Sequence, residues 1–439
     1  MQIDLLIKPT WIITVNEQDQ VLIDHAVAIH HGKILDILPF KAADTQYQAN
    51  KTVVLPQQAL LPGLVNAHTH AAMSLLKGLA DDLPLMEWLQ EHIWPAERRW
   101  ANRQFVYDGS KLAIAEMLRS GTTCFNDMYF FAEETVKAVQ ESGIRASLGM
   151  ILIDFPTAYA DNIEDYLQKG LALRESVSND PLITVCFAPH APYTVSDQPL
   201  QRIHQLATDL NLPMHMHVHE TASEVSQAIA LNQERPLARL ERLNLLDRHF
   251  LAVHMTQLEA SEIENLAYKQ VHVVHCPESN LKLASGFCPV AKLLAAGVNV
   301  ALGTDGNASN SDLDMLVEMR TAALLAKAVA QDASVVSAHQ VLRMATMNGA
   351  KALGLEQQIG SVEIGKSADL ITINLGGLES QPMYDPISHL VYCTSREQVT
   401  HVWVAGKALL EQRKLSTLNE AELIKSAQHW QSLIGEIAG

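Results

Sequence analysis

Between residues 61 and 357, short β-branched runs alternate with helix-like stretches: "GTTCFND" follows "SKLAIAEMLRS", and "VNVALGTDG" follows "PVAKLLAAG". This alternation predicts a parallel sheet, because each parallel crossover needs a connection about as long as a helix. Roughly 300 residues of it predict a (β/α)8 barrel of the TIM type. Such barrels carry their catalytic groups in the loops at the C-terminal ends of the strands. Polar motifs that directly follow apolar runs are therefore the candidates for chemistry.

The chain ends have a different texture. "DLLIKPTWIITV", "HAVAIHHGKILDIL" and "KTVVLP" are short alternating runs separated by Gly, Asn, Asp and Pro, and "GSVEIGKSADLITINL" and "VTHVWVAGKALLE" repeat the pattern near the C-terminus. Ala405-Gly406-Lys407 reads as a hairpin turn. The expected organisation is an α/β chain in three stretches. Residues 1–60 begin a small β-sandwich domain, 61–357 form the barrel, and 358–439 return to the small domain and add a C-terminal helix. No repeat of 20 to 50 residues is visible.

Composition narrows the partners. With 49 acidic against 32 basic residues the net charge is −17, a surface that repels phosphate backbones and anionic lipid headgroups. Neither a nucleic-acid nor a membrane partner is expected. The five cysteines are widely spaced and include no CxxC pair, which suggests neither a disulfide framework nor a thiolate zinc site and fits a reducing cytoplasm. Asp4, Lys8 and Pro9 interrupt the N-terminal apolar stretch, so no signal peptide or membrane span is expected there.

The strongest local motif is "LLPGLVNAHTHAAMSL", in which an apolar strand ends in His68-Thr69-His70. Residues i and i+2 of a strand share a face, so both rings can converge on one cation. In "LPMHMHVHET", His215, His217 and His219 share a parity and Glu220 follows them. One of the three completes a metal shell and at least one is a packing residue, but spacing alone leaves open which. Further strands end at His254 in "RHFLAVHMT", at His275 in "QVHVVHCPESN" and at Asp305 in "GVNVALGTDGNASNSD". Imidazoles with one carboxylate suit Zn²⁺ or Fe²⁺, and a water at an open position of such an ion becomes a nucleophile near neutral pH. GxGxxG, Walker A, GxSxG and HExxH patterns are all missing, which leaves hydride-transfer, phosphoryl-transfer and serine-hydrolase readings unsupported.

Taken in order, PGLVNAHTH, HVHET, VHMT, HCPESN and LGTDG resemble the amidohydrolase superfamily over essentially the whole chain, and within it the branch of methylthioadenosine/S-adenosylhomocysteine deaminases. The resemblance implies metal ligands His68, His70, His217 and Asp305. It favours His217 over its neighbours because the family's catalytic glutamate stands three residues after the ligand, where this chain has Glu220. It further implies Glu220, His254 and Asp305 as proton-transfer groups, and Glu220 and Asp305 also as substrate contacts. The fourth strand, "CFAPHAPYT", offers no lysine to bridge two metals, so one ion per chain is expected, zinc first and iron(II) second.

The same resemblance places Glu97 of "EHIWPAE" on the ribose hydroxyls and His190 of "APHAPYT" on the nucleoside. Where some relatives carry an arginine after the third strand, this chain has Met150, which predicts a preference for methylthioadenosine over the carboxylate-bearing S-adenosylhomocysteine. The expected reaction is hydrolytic deamination of an adenine nucleoside, adenosine included, to the inosine analogue and ammonia. An s-triazine hydrolase and a guanine-type base deaminase are the alternatives. Family members are often oligomeric, so a homo-oligomer is among the implications.

Overall fold

Eight parallel strands pair in sequence order from Leu64–Thr69 to Asn299–Leu302, and helices cover their outer face. The strands Leu64–Thr69, Thr122–Asp127, Arg145–Leu152, Met214–Val218, Phe250–His254 and His272–His275 are buried at every position. That is the signature of a parallel sheet covered on both faces. The structure, a computed structural model, describes residues 1–435.

The gap between the last and first strands is bridged at the catalytic end. The amides of Thr304 and Asp305 donate to the carbonyl of His68 at 3.1 and 3.0 Å, and the Asn66 side chain exchanges two hydrogen bonds with Thr304. Gly303 permits this approach: a Cβ there would lie 2.9 Å from the His68 backbone nitrogen, closer than side-chain atoms pack. His68 and Asp305, 237 positions apart in sequence, are thereby held side by side.

The expected sandwich is one continuous nine-stranded mixed sheet contributed by both chain ends. Its long strands, Gln2–Ile13 and Gln48–Pro62, run parallel at the centre, and strands Leu370–Asn374 and Val399–Val404 extend it from the C-terminal side. The sheet bends onto itself: the Ile34 amide reaches the Lys366 carbonyl and the Ala368 amide reaches Gly32, both at 2.9 Å. Ile7, Ile12, Val27, Ile34, Leu370 and Trp403 share the enclosed core. The predicted hairpin is present, with Val404 paired to Lys407 and positive φ at both Ala405 and Gly406, the geometry of a tight two-residue turn. The helix Glu420–Gly435 packs on the barrel, where Trp430 donates to Asp108 at 2.9 Å and meets Phe105 edge-on.

A buried ion pair fastens the two parts together. Arg145, at the start of the third barrel strand, donates to Asp369 of the terminal sheet at 2.7 and 3.2 Å, and also to Pro181 and Ser367. Removing one partner of such a pair strands the other charge away from water. Arg145→Ala should therefore cost about 3–5 kcal/mol in chemical denaturation, whereas a loss below about 1 kcal/mol would show that the pair carries little of the docking.

Candidate active site

At the C-terminal end of the barrel four predicted ligands converge. His68 and His70 come from the first strand and the residue after it, His217 from the fifth strand, and Asp305 from the loop after the eighth. One donor atom from each lies within 4.8 Å of all the others. Asp305 Oδ1 stands 3.3 Å from His68 Nε2 and 3.2 Å from His70 Nε2, while His217 Nε2 lies 3.3 Å from His70 Nε2.

The surrounding groups decide which nitrogen faces the centre. His70 Nδ1–H donates to the Met128 carbonyl at 2.6 Å and His217 Nδ1–H to the His190 carbonyl at 2.8 Å. A carbonyl only accepts, so Nδ1 carries a proton in both rings and Nε2 is the nitrogen each turns toward the centre. His68 is held from behind by His215, whose Nε2 is 2.9 Å from its Nδ1. The buried Nε2 of His68 has no hydrogen-bond partner, an unfavourable state that a cation at the centre relieves.

Burial, against the pull of Asp305, lowers His68 to about 4, and it carries His217 well below its usual range. Neutral rings of this kind are what a cation requires. At His70 the Asp305 carboxylate outweighs burial and raises the ring to about 9, so positive charge is favoured at that point. Asp305 itself is buried, but the His68 and His70 rings beside it outweigh burial and hold its carboxyl far below the usual carboxylate range.

The three histidines left open by spacing have separate fates. His217 faces the cluster, His215 stands behind His68, and His219 turns away with φ +53°, its ring between the Gln257 carbonyl and the Leu237 amide. His275 is buried and lines no part of the cavity.

His70, His217 and Asp305 of the cluster line a cavity of about 530 Å³ whose wall also includes Glu97, His190, Glu220 and His254. Glu220 begins the loop after the fifth strand, and its Oε2 lies 3.9 Å from His254 Nε2. Burial raises its carboxyl. His254 Nδ1–H donates to Asn280 Oδ1 at 2.9 Å, which leaves Nε2 as an acceptor directed toward Glu220. His190 is driven down to about 3 by burial and by His70, so its ring is neutral. Glu97 lies on the helix Trp94–Trp100, directly after a π-helical turn at Trp88–Ile93. It accepts from Tyr129 at 2.7 Å, and burial raises its carboxyl.

Three supports were not singled out from sequence. Ser279 and Ser309 donate to Asp305 Oδ2 at 2.6 and 2.7 Å. Glu224 accepts from the backbone amides of His219 and Glu220 at 3.0 and 2.7 Å, fixing the turn that presents Glu220. A signal for the last exists in Thr221-x-x-Glu224, the pattern of a helix N-terminus whose glutamate reaches back to free amides.

Met150 requires a correction. It lies within the third barrel strand, buried against Gly170 of the helix Ile163–Ser176 and outside the cavity wall. Strand parity turns Ile151 and Ile153 toward the cavity instead. Met150 is therefore not placed to set the 5′ preference.

Comparison with known proteins accords with this geometry. The amidohydrolase family profile matches residues 59–409. A 5-methylthioadenosine/S-adenosylhomocysteine deaminase of Teredinibacter turnerae is 49% identical over 99% of this chain and 98% of its own. The crystal structure of an adenosine deaminase from Xanthomonas campestris, with bound zinc, superposes with a TM-score of 0.98 at 51% identity over 99% of both chains. An atrazine chlorohydrolase from Arthrobacter aurescens, complexed with zinc, superposes with a TM-score of 0.91 over 97% of this chain and 99% of its own, but at 22% identity shares the fold alone. On the family profile and the near-complete match to its relatives, this chain belongs to the amidohydrolase family.

Proposed function

We propose that this chain deaminates the adenine ring of nucleosides, 5′-methylthioadenosine, S-adenosylhomocysteine and adenosine among them, to the inosine analogue and ammonia. The observation that carries the reading is one cavity with two kinds of carboxylate. Glu220 stands beside the His68, His70, His217 and Asp305 cluster, and Glu97 lines the same cavity, held by Tyr129. The names of the relatives support the same reading.

His68, His70, His217 and Asp305 would hold one divalent ion, zinc first and iron(II) second, which when bound would lower the pKa of a water toward neutrality. The protein does the rest. Asp305 and His254 would accept the proton of the attacking water as its oxygen adds to C6 of the purine. Glu220, its carboxyl raised by burial, gives a proton to ring N1 and then helps pass one to the departing ammonia. Glu97 accepts from the ribose hydroxyls and His190 contacts the nucleoside. We place the reaction in the cytoplasm, in keeping with five free cysteines, four of them buried. Among the described residues no helix is long and apolar enough to cross a membrane.

If Glu97 holds the ribose, adenosine should exceed free adenine and 2′-deoxyadenosine in kcat/KM. Losing one hydrogen bond to a charged group, about 1.5–3 kcal/mol, corresponds to roughly ten- to a hundredfold. Glu97→Ala should erase most of that difference. Steady-state kinetics on the three compounds checks this, and a better rate with free adenine would remove the ribose role.

A further inference from the structure

The terminal sheet holds a second convergence of metal-ligating groups, remote in sequence from the barrel cluster and sharing no residue with it. Asp4, His30 and His31 each offer one donor atom, all within 4.8 Å of one another. The antiparallel register that pairs Leu5 with Ile29 brings Asp4 beside His30 at the end of the ladder. His30 pairs with Lys33 across a two-residue turn made by His31 and Gly32, both at positive φ.

Two details point to a ligand. A tight turn of this type favours Asn or Gly at its first position, so a histidine there is an unusual choice that brings a second imidazole beside the first. The two rings sit 3.8 Å apart between centroids. In addition, His30 Nδ1 is shielded from water and makes no hydrogen bond; it lies 3.2 Å from Asp4 Oδ2, which already accepts the His31 amide at 2.7 Å. The shielded nitrogen, the carboxylate and the second imidazole thus lie close enough together to share one cation.

We infer that Asp4, His30 and His31 form a peripheral binding site for a borderline divalent transition metal such as Zn²⁺. Two imidazoles and one carboxylate match that class of ion, whereas Mg²⁺ and Ca²⁺ prefer all-oxygen sets. Only three protein ligands converge, and Asp4 and His31 are exposed, so water completes the shell and binding is weaker than in the barrel. A bound ion cross-links the strand Gln2–Ile13 to the turn that follows the strand His25–His30, stabilising the folded terminal sheet in proportion to occupancy.

The test is isothermal titration with Zn²⁺ of protein whose barrel ion is already in place. Wild type should take up one further ion per chain at micromolar concentration. His30→Gln and His31→Asn should each weaken that uptake at least about tenfold, with the barrel ion, counted by elemental analysis, unchanged. His31→Asn is the safer variant for folding, because asparagine suits the turn. Failure of wild type to bind a further zinc, or equal uptake by wild type and both variants, would overturn the assignment.

Discussion

Asp305→Asn should leave a folded protein that no longer retains its ion and deaminates nucleosides at less than about one part in ten thousand of the wild-type rate. A metal site of this kind lowers the pKa of water from 15.7 to about 7, so its loss removes almost all of the available nucleophile. Asparagine is the suitable probe. Asp305 sits at φ +62°, a conformation asparagine tolerates, and an amide oxygen still accepts from Ser279 and Ser309. Elemental analysis together with ammonia release checks the prediction. Near-normal turnover by an ion-free variant would mean that the cluster is structural.

Glu220→Gln is the second large effect, and it should separate chemistry from binding. The amide keeps the size of the side chain, and the four clustered ligands are untouched, so metal content should stay at one ion per chain. The proton is lost. General acid–base groups contribute roughly 10² to 10⁴ in rate, and kcat should fall by that amount with little change in KM. A variant within a few fold of wild type would reduce Glu220 to a packing role.

The parts of the site that were legible in sequence are those written in local geometry. His68 and His70 could be paired because strand residues two apart share a face, and Asp305 because it follows an apolar run. At the fifth strand the same rule failed to choose among three histidines, since His215 and His217 both point inward and differ only in whether they meet the cation site or the back of His68. Only the family spacing to Glu220 decided between them.

Met150 shows the opposite failure. A one-residue error in register exchanges the faces of a strand, and the sequence fixes neither where Arg145–Leu152 begins nor which residues face the cavity. The hydroxyls of Ser279 and Ser309 were illegible for a different reason. Ser279 reaches Asp305 across 26 positions and Ser309 from a loop of its own, and nothing in local periodicity encodes such contacts. The terminal strands were recognisable singly, but their union into one bent sheet depends on pairing between residues hundreds of positions apart, such as Thr372 with Leu60.

Deamination of adenine nucleosides is tested by following ammonia release and the ultraviolet change of the purine when metal-replete protein meets adenosine, 5′-methylthioadenosine and S-adenosylhomocysteine, with guanine and a chlorinated s-triazine alongside. One ammonia per adenine nucleoside consumed is expected, with the matching inosine analogue as product and little turnover of guanine or the triazine. Rapid release of chloride from the triazine, or of ammonia from guanine, with no reaction of any adenine nucleoside would contradict it.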